Sequence, residues 1–132
     1  MYPFHDILII DDEEDILEIL RVAIEFQSDI EIYFASNGED GIRKTNLVKP
    51  DLILLDVLMP GMDGLQVMDH LKNNQILKDI PVIFLTSRVL KSQTQTYLNK
   101  GAIGFIEKPF APLEILDKIQ ILWTEYTKQK ET

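Results

Sequence analysis

The 132-residue chain contains 13 basic and 22 acidic residues, a formal net charge of -9, and no cysteine. The acidic balance argues against direct binding of a nucleic-acid backbone, which needs a basic face. The missing cysteines exclude a disulfide scaffold, a thiol nucleophile and a thiolate metal site, and they fit the cytoplasm. No uninterrupted apolar run approaches the ~18 residues of a membrane span, so no membrane association is expected.

Short β-branched runs alternate along the chain with longer segments of helical period, which predicts successive βα units around a parallel sheet. The predicted strands are Asp6–Ile10, Ile30–Ala35, Leu52–Asp56, Pro81–Thr86 and Gly104–Glu107. The predicted helices are Glu14–Phe26, Gly38–Val48, Gly64–Asn73, Ser92–Lys100 and Pro112–Lys128. The first, third and fourth strands are apolar on both faces, as in the interior of such a sheet, whereas the second suits an edge.

Reactive side chains stand at the ends of four predicted strands: Asp11 and Asp12 after the first, Asp56 in the third, Thr86 in the fourth and Lys108 after the fifth. Because ligands of an open parallel sheet bind at the carboxyl ends of its strands, we expect these side chains to form one site. Three carboxylates there would repel one another without a cation, and all-oxygen ligation favours Mg²⁺. Thr86 and Lys108 could hold phosphoryl oxygens while Asp56 forms an aspartyl phosphate.

Two neighbouring segments have simpler interpretations. Glu13, Glu14 and Asp15 are interpreted as the solvated start of the first helix, since carboxylates stabilise a first helical turn. In the stretch LLDVLMPGMDG, Gly61 and Gly64 could supply positive φ angles that fold the loop over the site. The strand therefore delivers Asp56, and the turn after it frames the access to its carboxylate.

Four motifs, IIDDEE, LLDVLMPGMDG, IFLTS and FIEKPF, resemble in their order and spacing the receiver domain of bacterial two-component response regulators. The resemblance runs from HDILIIDDEEDI to about Trp123. It implies an α/β fold, a doubly wound five-stranded parallel sheet of flavodoxin-like strand order 2-1-3-4-5 with five flanking helices. We expect a single receiver domain over residues 1–132, with a core from about 5 to 126 and a short polar tail over 127–132.

The resemblance also implies a role for each site residue. Asp56 would be the phosphoacceptor, and Mg²⁺ would be held by Asp11, Asp12, Asp56 and the backbone carbonyl of Leu58. Thr86 would bond the phosphoryl group and report its presence as part of the switch. The acceptor would be used stoichiometrically, with self-catalysed phosphorylation and dephosphorylation, so the chain is not predicted to be an enzyme.

Further positions follow from the same resemblance. Lys108 would pair with the phosphoryl group, and the Lys108–Pro109 peptide bond would be cis. Phe105 falls on the aromatic switch position, where the absence of a hydroxyl leaves packing as its means of action. Leu58 and Arg88 occupy the two variable positions that tune the phosphoryl lifetime, and an apolar Leu58 predicts a longer lifetime than asparagine at that position would give.

The predicted partners are a sensor histidine kinase or histidine phosphotransfer protein and a downstream protein target. The last helix carries a wide apolar arc that includes Trp123 and leaves Ile121 outside it, which fits either core packing or a partner surface. The resemblance implies an interaction face, including a homodimer, on the fourth helix, fifth strand and fifth helix, and Ile121 and Trp123 are the candidates on it. Since the sequence ends just after the last helix, we expect a stand-alone receiver or a relay intermediate, although a fragment of a longer regulator would look the same.

Three other function classes remain as alternatives. A receiver-like binding module that never accepts phosphate would usually lack one of the site residues, all of which are present here. A Mg²⁺-dependent phosphohydrolase would want an acid two residues after its nucleophile, where this chain has Leu58. A flavin-binding electron carrier would want a Ser/Thr/Gly-rich loop after the first strand, and the DDEED found there would repel a flavin phosphate.

Overall fold

The structure is a computed structural model that describes residues 2–87 and 91–131, with the side chains of residues 91 and 92 left out of the description. The strands are β1 (Asp6–Ile10), β2 (Glu31–Ala35), β3 (Leu52–Asp56), β4 (Val82–Thr86) and β5 (Gly104–Glu107). The helices are α1 (Glu14–Gln27), α2 (Gly38–Val48), α3 (Gly64–Lys72), α4 (Lys91–Asn99) and α5 (Ile115–Lys130), with a short 3₁₀ helix, Pro112–Glu114, before α5.

The five strands form one parallel sheet in the order β2-β1-β3-β4-β5, so the predicted doubly wound fold and strand order are confirmed. Every residue of β3 and β4 is buried, whereas β2, at one edge, has an exposed residue and three partly buried ones. Strand order reverses between β1 and β3, which places the carboxyl ends of these two strands side by side.

Two apolar layers cover the sheet because successive side chains of each strand point to opposite faces. One layer packs alternate residues of β1, β3 and β4 against α2, α3 and α4. The other packs the remaining residues of those strands against α1 and α5, and it includes Phe4 from the segment before β1. Both layers contain residues of β1, β3 and β4, so the carboxyl ends of these strands are packed on both faces of the sheet.

Helix ends follow local chemistry in several places. The side chain of Asn37 accepts a hydrogen bond from the Asp40 amide, and Asp63 forms a capping box with Gln66 at the start of α3. The last helix differs from the prediction in two details, because its first turn is the 3₁₀ helix and α5 ends at Lys130, two residues beyond the predicted end at Lys128. Among the helices within residues 2–87 and 91–131, none combines the length and apolar character of a membrane span.

Gly61 and Gly64 serve different purposes in the loop after β3. Gly61 has a φ of 74°, as predicted, and has open space where a side chain would begin. Gly64 is absent from the positive-φ residues, so that part of the prediction was wrong. A Cβ at Gly64 would instead lie 2.2 Å from the backbone oxygen of Asp56, which means that glycine is needed for the close approach of α3 to β3.

Candidate functional site

The predicted site residues lie where backbone hydrogen bonds fix the strand ends relative to one another. The Asp11 amide donates to the carbonyl of Ala35 at 3.0 Å, just beyond β1 and β2. The amide of Lys108 donates to the carbonyl of Thr86 at 2.7 Å, which continues the pairing of β5 with β4. Strand register therefore aligns residues that are far apart in the sequence, and the positions of their side chains follow from the sheet itself.

Asp11, Asp12 and Asp56 form a cluster in which one carboxylate oxygen from each lies within 4.8 Å of the others. Asp11 and Asp56 are buried, and Asp12 is partly buried at the mouth of the cluster. Carboxylate oxygens are hard ligands, and three of them at this spacing, open to solvent on one side, suit Mg²⁺, which keeps several of its waters. The donor set thus fits the cation that the sequence predicts.

Lys108 is the cation that the protein itself supplies to this cluster. Its ammonium group lies 2.6 Å from Asp11 Oδ2, 3.3 Å from Glu13 Oε1 and 3.6 Å from Asp56 Oδ1, and the lysine side chain is 8% exposed. One ammonium cannot neutralise three clustered carboxylates, so negative charge remains for a second cation to balance. The Lys108–Pro109 peptide bond is cis, as the resemblance implies.

Burial and the neighbouring charge of Asp11 raise the pKa of Asp56 to about 7, against a smaller opposing effect of Lys108. The Leu58 amide also hydrogen-bonds the Asp56 carboxylate and favours its charged form. A carboxyl of this kind is half protonated near neutral pH when no metal is present. A divalent cation beside it would favour the anion, which is the form that can act as a nucleophile.

Asp11 and Lys108 form the tightest ion pair of the site. Burial raises the pKa of Asp11, and the hydrogen bond from Lys108 lowers it only in part. Burial lowers the pKa of Lys108, but the hydrogen bond to Asp11 and the charges of Asp11 and Asp56 outweigh that effect, so its pKa lies above the usual value. Lys108 therefore remains an ammonium group across the physiological range, ready to pair with an anion.

Glu13 is a member of the site that the sequence did not reveal. Its carboxylate contacts Lys108, and its backbone amide donates to Asp11 Oδ1 at 2.9 Å. The sequence placed it with Glu14 in a solvated first turn, and the structure does leave Glu13 61% exposed. No local pattern signals the contact, because Glu13 and Lys108 are 95 residues apart.

Thr86 and Phe105 lie on the α4 side of the site. Thr86 is buried at the carboxyl end of β4. The ring of Phe105, on β5, is 6.3 Å from that of Tyr97 in α4, and Tyr97 in turn packs 5.4 Å from Phe84 on β4. These three rings connect the two strands that hold Thr86 and Phe105 to the inner face of α4.

The remaining predicted residues are spread more widely. Leu58 is exposed beside the cluster, and Arg88 lies outside the described residues. Ile121 is exposed on α5, as an interaction face would require. Trp123 is placed differently, because it is half-buried and its ring packs 5.2 Å from that of Phe4. Trp123 thus joins the N-terminal segment to α5 and does not share the open surface with Ile121.

The match to a known family decides what this arrangement is. The family model described as "Response regulator receiver domain" matches residues 7–120, which include all of the clustered acids, Thr86 and Lys108. The chain belongs to this family. Receiver domains are regulatory switches of two-component signal transduction, and they generally bind Mg²⁺ through an acidic pocket like the one formed by Asp11, Asp12 and Asp56.

The chain is similar in sequence to curated transcriptional regulatory proteins. The chain is 34% identical over 116 residues to the alkaline phosphatase synthesis transcriptional regulatory protein PhoP of Bacillus subtilis, with 88% of this chain and 47% of the relative covered. It is 36% identical over 114 residues to the phosphate regulon transcriptional regulatory protein PhoB of Escherichia coli, with 86% and 49% covered. The chain spans about half the length of the curated relatives it matches.

Solved structures agree with the receiver fold. The Vibrio cholerae chemotaxis protein CheY4 matches with a TM-score of 0.83 and 25% identity, covering 90% of this chain and 98% of that one. A putative response regulator from Chloroflexus aurantiacus matches with a TM-score of 0.81 and 27% identity, covering 89% and 96%. Both matches cover nearly all of the solved chains, so this receiver domain has the full complement of elements found in those structures.

Proposed function

We propose that this receiver domain is a phosphorelay switch in which Asp56 accepts a phosphoryl group from a histidine kinase or histidine phosphotransfer protein. The observation that supports this most is the position of Asp56, buried at the end of β3 within 4.8 Å of two other carboxylates and 3.6 Å from the ammonium of Lys108. Response regulators receive their signal from such proteins. The chain acts as a stoichiometric acceptor that promotes reactions only of its own Asp56 carboxylate, and not as an enzyme that turns over a separate substrate.

Transfer requires one bond to form and one to break. An oxygen of the Asp56 carboxylate attacks the phosphorus of the donor's phosphohistidine, the P–N bond breaks, and the imidazole leaves with the electron pair and takes up a proton. The hydroxyl of Thr86 donates a hydrogen bond to a phosphoryl oxygen, and the Lys108 ammonium pairs with the same phosphoryl group. Hydrolysis later returns the Asp56 carboxylate and releases inorganic phosphate.

Asp11, Asp12 and Asp56 would hold Mg²⁺ in this reaction, together with the Leu58 backbone carbonyl that the resemblance implies. The cation would supply charge neutralisation for the phosphoryl oxygens and keep Asp56 ionised. Asp11 and Asp56 are buried at the strand ends, so their carboxylates are already oriented, whereas Asp12 is only partly buried. This division suits a site that takes up and releases its ligands during signalling.

The phosphodonor protein has an apolar surface to dock on beside the site. Ile19 and Val22 of α1 are exposed, Val22 to 54%, and they line one groove with Pro112 and Leu113 of the short 3₁₀ helix. α1 begins two residues after Asp12, and Pro112 follows Lys108 by four residues, so both walls of the groove belong to elements that start next to the site. We propose that a donor bringing a phosphohistidine to Asp56 docks on this groove, where an apolar helix face on the donor would bury the exposed side chains.

Changing Val22 to aspartate should slow phosphotransfer from a histidine phosphotransfer domain by about tenfold, because it puts a charge into an apolar contact. Phosphorylation by acetyl phosphate, which needs no docking, should keep its wild-type rate. Leu47→Asp is the matched control, since Leu47 is an apolar residue near the end of α2 that is at least as exposed as Val22, at 70% against 54%. Both rates can be followed by intact-mass spectrometry, and equal slowing with the two donors would rule out this docking surface.

The output face of the switch is proposed to lie on α4, β5 and α5. Phosphorylation at Asp56 would change the contacts of Thr86, and the packed rings of Phe105 and Tyr97 would pass the change to α4. Ile121 of α5 offers an exposed apolar contact for a second copy or a downstream protein. The phosphoryl group acts here only through its different interaction energies with the two states of this face.

Intact mass after incubation with acetyl phosphate and Mg²⁺ tests the function directly. Wild type should gain one phosphoryl group, and Asp56→Asn should gain none, because the amide is not a nucleophile at this pH. Size-exclusion chromatography of the same samples would reveal a phosphorylation-dependent dimer. If wild type gains no mass from acetyl phosphate or from a phosphorylated histidine phosphotransfer domain, the chain is a binding module and the proposal fails.

A further inference from the structure

Glu13 occupies the N-cap position of α1 but does not cap the helix. Its side chain makes no capping hydrogen bond, although Asn37 and Asp63 at the N-caps of α2 and α3 both do. Glutamate is also not among the residues favoured at an N-cap. The carboxylate reaches instead across the site to the Lys108 ammonium, 3.3 Å away. The side chain therefore contributes to the site and not to the helix end.

Lys108 has three acidic neighbours, and two of them belong to the cluster that fits Mg²⁺. Its shortest contact, 2.6 Å, is with Asp11 Oδ2, while the other oxygen of Asp11 accepts the Glu13 amide. A divalent cation joining Asp11 and Asp56 would repel an ammonium group on the same carboxylates. Of the three acids, only Glu13 lies outside the cluster, so it is the contact that Lys108 can keep when the cation arrives.

We propose that Glu13 is a positioning residue for Lys108. Glu13 holds the Lys108 ammonium beside the site when Asp11 binds the cation, and it then competes with the phosphoryl group for that ammonium. This inference rests on the proposed function and adds a residue to it. The exposure of Glu13 matters here, because a partly solvated ion pair is weak enough to exchange. A buried partner would hold Lys108 too firmly for the lysine to reach a phosphoryl group on Asp56.

If Glu13 competes with the other acids and with the phosphoryl group for Lys108, Glu13→Gln should weaken Mg²⁺ binding but slow the release of a phosphoryl analogue. Without Glu13, Lys108 stays on Asp11, and Mg²⁺ binding should weaken by about threefold, a factor set by the strength of an exposed ion pair. Once beryllofluoride occupies the phosphoryl position, Lys108 has one competitor fewer, and release of beryllofluoride should slow by about threefold on the same grounds. Damage to the local structure would weaken both ligands together.

Two further variants separate contact from charge. Glu13→Asp keeps the charge but shortens the side chain by one methylene, and aspartate at an N-cap turns toward the helix amides. It should therefore match Glu13→Gln in both measurements while raising the melting temperature. Glu14→Gln removes the neighbouring exposed charge, which has no part in the Lys108 contacts, and should behave as wild type.

Mg²⁺ affinity can be measured by amide chemical shifts during titration, and beryllofluoride release by the return of the ligand-free spectrum after dilution into saturating Mg²⁺. The result that supports the inference is weaker Mg²⁺ binding with slower beryllofluoride release in both Glu13 variants. Wild-type behaviour of Glu13→Asp, or a change of both ligands in the same direction, would overturn it. Failure of the wild-type protein to bind beryllofluoride would instead overturn the proposed function, and this inference with it.

Discussion

Asp56→Asn should make the metal-free protein more stable than wild type at pH 8, by at most about 4 kcal/mol, since each unit of the rise from 3.8 to about 7 in the pKa of Asp56 corresponds to about 1.4 kcal/mol. Burial and the charge of Asp11 raise the pKa of Asp56 to about 7, from an ordinary value of 3.8. Folding therefore disfavours the charged carboxylate that neutral pH would otherwise produce. Asparagine has nearly the same shape and carries no charge, so it removes this cost without leaving a cavity.

The dependence on pH follows from which state binds more protons. Between pH 3.8 and about 7 the folded protein retains a proton on Asp56 that the unfolded chain has lost, so the stability of wild type falls as pH rises through this range. Above about 7 both states are ionised and the loss is complete. The advantage of the variant should thus be small at pH 4.5, grow up to neutrality and remain constant beyond it.

Urea unfolding of both proteins in EDTA, at several pH values, measures this difference. Addition of Mg²⁺ at pH 8 should stabilise wild type more than the variant, because the cation binds the folded cluster and prefers three carboxylates to two. Asp117→Asn removes an exposed carboxylate from α5 and is the control for a simple change in net charge. A pH-independent difference between wild type and Asp56→Asn would mean that the Asp56 carboxylate is not the source of the effect.

Much of the fold could be predicted because its determinants are local. The apolar runs of β1, β3 and β4 and the more polar β2 already indicate which strands are interior and which is an edge, and the structure has this arrangement. The end of the last helix was less predictable. Residues 127–130 have no apolar periodicity, and α5 continues to Lys130, two residues beyond the predicted end, because neither proline nor glycine follows Tyr126 to interrupt its backbone hydrogen bonds.

The site was predictable to the extent that strand ends dictate it. Asp56 ends one predicted strand and Lys108 directly follows another, so a parallel sheet brings them to one edge. Glu13 was missed because its contact joins residues 95 apart in the sequence. Trp123 was assigned to an open face because an amphipathic pattern does not reveal that Phe4, from the other end of the chain, covers part of that face.

The alanine variant of Gly64 should lose both stability and phosphorylation, and it is the substitution with the largest structural effect that we expect. A Cβ there would lie 2.2 Å from the Asp56 backbone oxygen and 2.8 Å from the Val57 Cα. These are backbone atoms of the last residue of β3 and of the residue that follows it, and they cannot rotate away as a side chain could. The amide of Gly64 also donates to the Val57 carbonyl at 2.9 Å, so the start of α3 is tied to the residue that directly follows the proposed phosphoacceptor.

Relief of this clash requires α3 to move away from β3 or Asp56 to shift. Either change should cost about 3 kcal/mol of folding stability, the upper range for overpacking, and should slow phosphorylation by acetyl phosphate because the carboxylates no longer meet at one point. Gly61→Ala is the matched control. Its φ of 74° makes alanine unfavourable by about 1 kcal/mol, but nothing lies within 4 Å of the new Cβ, so phosphorylation should persist. Urea unfolding and the phosphorylation rate should be measured for both Gly64→Ala and Gly61→Ala. Equal effects of the two substitutions would show that glycine is needed at position 64 for the conformational freedom of the loop and not for the contact with Asp56.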